Sequence, residues 1–235
     1  MPAPAVAVVV PTRDRADYLA VALASFAAQE LADPFELIVV DDDVRAPAGW
    51  LAALVEGARS MPWADALGGP IRASMEGGAA PRSCGREDPP VTTLDLGPED
   101  RETRFVWSAN MVVRRSAIER IGGFDEAVPI YGDEEEWLMR LHADGGRVGY
   151  VAAAGLAHRR AGEDARLRAL ARAEYRRGKA ASRNDRRKRT ELPVSRELRN
   201  LGGACWHTAR RRCPQGLVMV AHTAGRLTER LEHAR

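Results

Sequence analysis

The sequence predicts an α/β fold: a mostly parallel sheet flanked by helices, followed by a helical extension at its C-terminal end. Three observations predict it. Two apolar runs, "AVAVVVPT" (Ala5 to Thr12) and "FELIVV" (Phe35 to Val40), read as strands buried on both faces and enclose a helix-period segment. Downstream, helical patterns alternate with short apolar runs as far as His158. Beyond Glu163 the pattern is helical and basic, broken at Pro193 and Pro214. The 235 residues therefore divide into a domain over 1–162 and an extension over 163–235.

The elements follow in order. Pro11 stops the first strand. "RADYLAVALASFAAQ" then sets Tyr18, Leu19, Leu23, Phe26 and Ala27 at helical spacing, with Asp14 placed to cap the helix. Strand, helix and strand within about 35 residues make a βαβ unit, hence a parallel pair with a right-handed crossover. Ligands of open α/β sheets sit beyond the carboxyl ends of the strands, which brings Pro11 to Arg15 beside the triplet Asp41, Asp42 and Asp43. "GWLAALVEGARS" (Gly49 to Ser60) reads as a helix, "ADALGGPI" as a strand, and Met75 to Asp100 as a long loop. "RFVWSANMVVRRSAIERIGGF" predicts a strand from Val106 to Val113 and a short helix closed by Gly122 and Gly123. "GDEEEWLMRLHADGG" is a helix starting at Asp133 and stopping at Gly145, and "RVGYVAAAGLAHRR" is a final strand ending near His158.

The totals exclude several classes. No apolar run approaches the length that spans a bilayer, and the N-terminus lacks a basic region ahead of its apolar run, so no secretory signal is read. Three cysteines without a CxxC pair fit a reducing cytoplasm rather than a disulfide framework. Cys205, His207, Cys213 and His222 match no zinc spacing. The net charge of +2 hides an asymmetry: Arg166 to Arg199 carries 13 Lys and Arg against 4 Asp and Glu, so the body is acidic and the extension basic. That arm shows no nucleic-acid motif and few aromatics, which makes nucleic acid an unlikely partner and an anionic inner-membrane face the better one.

Two acidic stretches carry the chemistry. Adjacent carboxylates repel unless a cation or hydrogen-bond donors sit among them, so the triplet is either a solvated turn or a divalent-metal site. "GDEEEW" is either a helix start, with Asp133 and Glu136 as a capping box, or a base positioned at a helix N-terminus.

"VVVPTRDRADYL", the aspartate triplet and "GGFDEAVPIYGDEEEWLMRLHADGGRVGYVAAAGLAHRR", in that order, resemble the family 2 glycosyltransferases of the GT-A fold over roughly Ala5 to Arg160. The resemblance implies a GT-A-like, Rossmann-like sheet that takes a nucleotide-diphosphate sugar with Mn²⁺ or Mg²⁺ and passes the sugar, with inversion, to an acceptor hydroxyl. It implies that Asp41 and Asp43 are the ends of a D-x-D metal motif and that His158 is a further metal ligand. Pro11, Thr12, Asp14 and Asp42 would line the nucleotide sugar, with Asn110 and Trp107 flanking the sugar and acceptor. Glu134 aligns with the catalytic base, and Asp133 is the alternative. The family separates a base-reading aspartate pair from its D-x-D, whereas this chain has one triplet, as if the intervening elements were removed. A non-catalytic GT-A-like scaffold that binds a partner is the alternative function.

Overall fold

A computed structural model describes residues 8–9, 15–30, 38–39, 41–78, 91–128 and 132–233. It is an α/β structure with two sheets flanked by helices and a helical C-terminal part. The chain forms two compact units, one built from the described residues of Met1–Ser74, Thr92–Asp125 and Glu134–Arg160, the other from those of Met75–Val91, Glu126–Asp133 and Ala161–Arg235.

In the first unit, β1 (Val8–Val9) and β2 (Ile38–Val39) are parallel, and α1 (Ala16–Ala27) lies between them in the chain. The inward face of α1 differs from the sequence reading: Ala22 and Ser25 are buried, whereas Leu23 is half exposed. Asp14, its expected cap, lies outside the described residues. β3 (Val44–Arg45) follows the triplet, and α2 (Trp50–Ser60) begins after Gly49, whose φ of 80° suits glycine. Then come β4 (Ala66–Gly68), β5 (Ile71–Met75), β6 (Arg101–Thr103), β7 (Met111–Val113), α3 (Arg115–Ile121), α4 (Asp133–Ala143), β8 (Val148–Tyr150) and β9 (Leu156–Arg160).

The larger sheet runs β1-β2-β7-β4-β8-β6. It is mixed rather than mostly parallel: β1–β2 and β4–β8 are parallel, while β7 runs antiparallel to β2 and β4, and β6 to β8. The physical reason lies in the connections. A parallel neighbour needs a crossover, usually a helix, but β7 follows a 3-10 turn at Ser108–Asn110 that re-aims the chain. The strand expected over Val106 to Val113 is thus only its last three residues.

Two other expected strands each split in two. "ADALGGPI" gives β4 and β5, and "RVGYVAAAGLAHRR" gives β8 and β9; in both cases the second piece joins a smaller sheet ordered β3-β9-β5. Gly69 and Pro70 make the first corner: a side chain at Gly69 would collide with the Ala154 carbonyl. Asn110, fully buried, ties both corners, its Nδ2 donating to the carbonyls of Pro70 (3.2 Å) and Ala154 (2.7 Å), and its Oδ1 accepting from Trp50 Nε1 (3.1 Å).

The two helices that clamp the sheet follow from periodicity. α2 buries Trp50, Leu51, Leu54 and Gly57 against Leu67, and α4 buries Trp137, Leu138 and Leu141 against Ala66, Met111 and Val113. Ala66 and Leu67 alternate along β4, so the helices occupy opposite faces of the sheet. Each buried Leu contributes about 2 kcal/mol.

The second unit contains α5 (Leu167–Lys188), α6 (Val194–Arg211) and α7 (Gln215–His233). Pro193 caps α6 and Pro214 precedes α7, as the sequence pattern requires. α7 packs on both others. Gly178 sits against the backbone of His222 and Gly225 against that of Tyr175, so α5 and α7 approach more closely than any side chain would allow.

Candidate metal centre

Asp41, Asp42 and Asp43 leave the end of the β1–β2 pair and lead directly into β3, where Val44 stands opposite His158 of β9. Two short pieces of chain, distant in sequence, thereby put carboxylates and an imidazole together. His158 Nε2 lies 2.8 Å from Asp43 Oδ1 and 3.6 Å from Asp41 Oδ2, and a ligand atom from each of the three residues lies within 4.8 Å of the others. Among the described residues no other set of three or more His, Cys, Asp or Glu side chains converges this way, including Cys205, His207, Cys213 and His222.

At 2.8 Å, His158 Nε2 and Asp43 Oδ1 are in direct contact with each other. Asp43 Oδ1 and both His158 ring nitrogens are buried without a hydrogen-bond partner. The spacings suit a cation: with bonds of about 2.1 Å, adjacent ligands of an octahedral ion stand about 3.0 Å apart. The donors are two carboxylate oxygens and one imidazole nitrogen, a set that could hold a metal ion. Asp41 keeps 38% of its side-chain exposure while Asp43 and His158 keep 4% and 2%, so the site has a closed floor and an open edge.

The remaining oxygens are managed by Arg15, whose guanidinium donates to Asp42 Oδ1 (3.0 Å) and Asp43 Oδ2 (2.9 Å). Arg15 and Arg159 both lie over the ring of Tyr18, at 5.6 and 4.8 Å from its centroid, which holds the guanidiniums in place. The Arg159 amide donates to the Asp43 carbonyl (2.6 Å). The carboxyls respond unequally. Burial alone would push Asp43 up, but His158, Arg160 and Arg15 hold it below the ordinary carboxylate range. Burial pushes Asp41 up, aided by Asp43 and Asp42, against the attraction of His158 and Arg160. Asp43 is the fixed anion of the site and Asp41 the more basic neighbour.

The other expected site residues are placed as follows. Glu134 is buried in the first turn of α4, with Asp133 half-buried just before it. Trp107 is 36% exposed and stacks edge-on with Phe105 at 4.5 Å. Asn110 has all three of its amide contacts inside the fold, so it shapes the two corners. Pro11, Thr12 and Asp14 lie outside the described residues. Arg15, Tyr18 and Arg160 were not singled out by sequence reasoning. The available signal was position: Arg15 ends the segment expected beside the triplet, and Arg159 and Arg160 follow His158 directly. The sequence matches no protein-family model and no curated protein.

Proposed function

We propose that this chain is a metal-dependent, inverting glycosyltransferase of GT-A-like build that moves a sugar from a nucleotide-diphosphate donor to an acceptor hydroxyl. The observation that carries the reading is the convergence of Asp41, Asp43 and His158, with ligand atoms within 4.8 Å of one another, at the end of a parallel strand pair. Asp43 and His158 would form the floor of a Mn²⁺ or Mg²⁺ site and Asp41 its open edge. When bound, the ion neutralises the diphosphate and stabilises it as leaving group.

The chain's own groups do the rest. Arg15 locks Asp42 and Asp43 in place, so one Asp43 oxygen stays turned toward the ion. Glu134 accepts the acceptor's proton as the hydroxyl oxygen bonds to the anomeric carbon and the bond from that carbon to the phosphate oxygen breaks. The products are a glycoside and a nucleoside diphosphate. The positive end of α4 favours a carboxylate at Glu134. Because the triplet serves the ion and Arg15, few acids remain to read the nucleobase.

One observation favours the scaffold reading: Arg15 already neutralises two of the three aspartates. Calorimetric titration with uridine, guanosine and thymidine diphosphates, with and without Mn²⁺, separates the two. The transferase reading expects Mn²⁺-dependent binding, with the three nucleotides within about tenfold, or roughly 1.4 kcal/mol. It also expects Glu134→Gln to bind donor normally and to release nucleoside diphosphate from nucleotide sugars at least ~10²-fold more slowly. Absence of binding by any nucleotide leaves the scaffold.

A further inference from the structure

The basic extension divides its cations into two populations. On α5, Arg177 pairs with Glu174, Lys179 with Glu232, Arg183 with Glu229 and Arg186 with Glu191. Lys179 and Arg183 thereby join α5 to α7, and all four charges are engaged inside the unit. Other cations are unengaged among the described residues, including Arg168, Arg172 and Arg176 of α5 and three arginines of α6. Among the described residues, no ion pair or side-chain hydrogen bond engages Arg196, Arg199 or Arg210.

The same helix exposes apolar surface. Val194 and Leu198 are each 54% exposed and Trp206 is 68% exposed, and Cys205 is exposed between them. Its inward face is complete without them, formed by Glu197, Ala204 and His207. At about 100° per residue, Val194, Cys205, Leu198, Gly202 and Trp206 share an arc of about 120°, and Arg199, Arg210 and Arg196 fill roughly the next 60°. The outer face of α6 is therefore an apolar band bordered along its length by an arginine band. No helix among the described residues is long and apolar enough to cross a membrane, so this face would lie on a bilayer rather than span it.

We infer that α6 docks the protein on an anionic lipid surface. Leu198 and Val194 enter the acyl boundary, Trp206 rests at headgroup depth, and the arginines reach the phosphates above it. Apolar and cationic bands side by side on one helix fit a plane with hydrocarbon below and phosphate above. Charge decides between occupants. A second copy of this face would bring unpaired arginines against unpaired arginines, whereas phosphatidylglycerol or phosphatidylserine headgroups supply the missing anions. The inference stands on α6 alone and does not depend on the transferase reading.

Co-sedimentation of the full chain with phosphatidylcholine vesicles, with and without about 30% phosphatidylglycerol, tests it. Binding is expected on the anionic vesicles, weakening steeply between low and physiological salt. Replacing both apolar anchors, Leu198→Ser with Trp206→Ser, should lower partitioning by more than ~10-fold. Arg199→Ala and Arg210→Ala should each lower it by roughly fivefold. All four positions are on the exposed face, and circular dichroism checks that the helices persist. The emission of Trp206, taken as the difference between wild type and Trp206→Phe, should move to shorter wavelength on the anionic vesicles. Equal binding to neutral vesicles, no binding, or binding unchanged in the anchor variant overturns the inference. So does a concentration-dependent dimer without lipid that Trp206→Ser converts to monomer.

Discussion

Both units bury charge, and they do so to opposite ends. In the helical unit, Arg226 is sunk between α6 and α5, its Nε donating to Glu197 (2.7 Å) and its Nη2 to Asp185 (2.6 Å). Glu229 is met by Arg183 and Lys179. Each carboxylate comes from a different part of the chain and meets an opposite charge, so the network links three helices, although Glu197 Oε2 and Arg183 Nε make no hydrogen bond among the described residues. In the sheet unit, three carboxylates are consecutive and one guanidinium is shared between two of them. A network that only held the fold would be expected to resemble the first. The second crowds like charges beside an imidazole, a grouping that could hold a metal ion.

The comparison breaks most visibly at Arg226. Arg226→Met keeps much of the volume and strands Glu197 in the helical unit, which should lower the free energy of unfolding by about 3 kcal/mol in urea titrations. Adding Glu197→Gln should recover part of that loss. A change within experimental error would mean that this network holds nothing.

The aspartate site should respond the other way. Asp41→Asn relieves like-charge crowding beside Asp43, so without metal the variant should melt no lower than wild type and up to about 1 kcal/mol higher. Wild type should gain about 2.7 kcal/mol when Mn²⁺ exceeds its dissociation constant 100-fold, and the variant should lose most of that gain. Thermal scans in chelator and in Mn²⁺ read both. Destabilisation of the variant in chelator would place the triplet among the structural networks.

A smaller, pH-dependent effect sharpens the contrast. Burial would raise the Glu174 carboxyl, but His222, which bonds it at 2.8 Å, and Arg177 hold it below its ordinary value of 4.5. A depressed carboxylate stabilises the fold fully above its unfolded value and loses that contribution as pH falls through the folded one. Glu174→Gln should therefore cost about 1 kcal/mol at neutral pH and nothing once the pH lies well below the folded value. A penalty that persists in acid would assign the residue to packing instead.

The long periodic segments were legible in the sequence: α2, α4 and the three C-terminal helices fall where apolar spacing and Pro193 and Pro214 put them. The proximity of Arg15 to the triplet was legible too, because parallel strands deliver their loops to one edge. The division into two sheets was not. Strands of two or three residues carry almost no period, and the turn at Gly69–Pro70 is enforced by a carbonyl from β8–β9 that no local pattern announces. The same holds for His158. The family resemblance implied a ligand there, but only the pairing of β9 with β3 reveals that it faces Asp43.

That pairing has a consequence for how the protein becomes ordered. β3 is two residues long, too short to choose its own alignment with β9. Sliding it by one position would turn His158 away from Asp43 and leave the Arg159 amide without the Asp43 carbonyl. An ion gripping both residues would therefore act as a gauge of alignment, admitted in one setting of the two strands and in no other. Cation capture and the zipping of β3 onto β9 become a single event, and slowed hydrogen exchange at the Arg159 amide would be its trace.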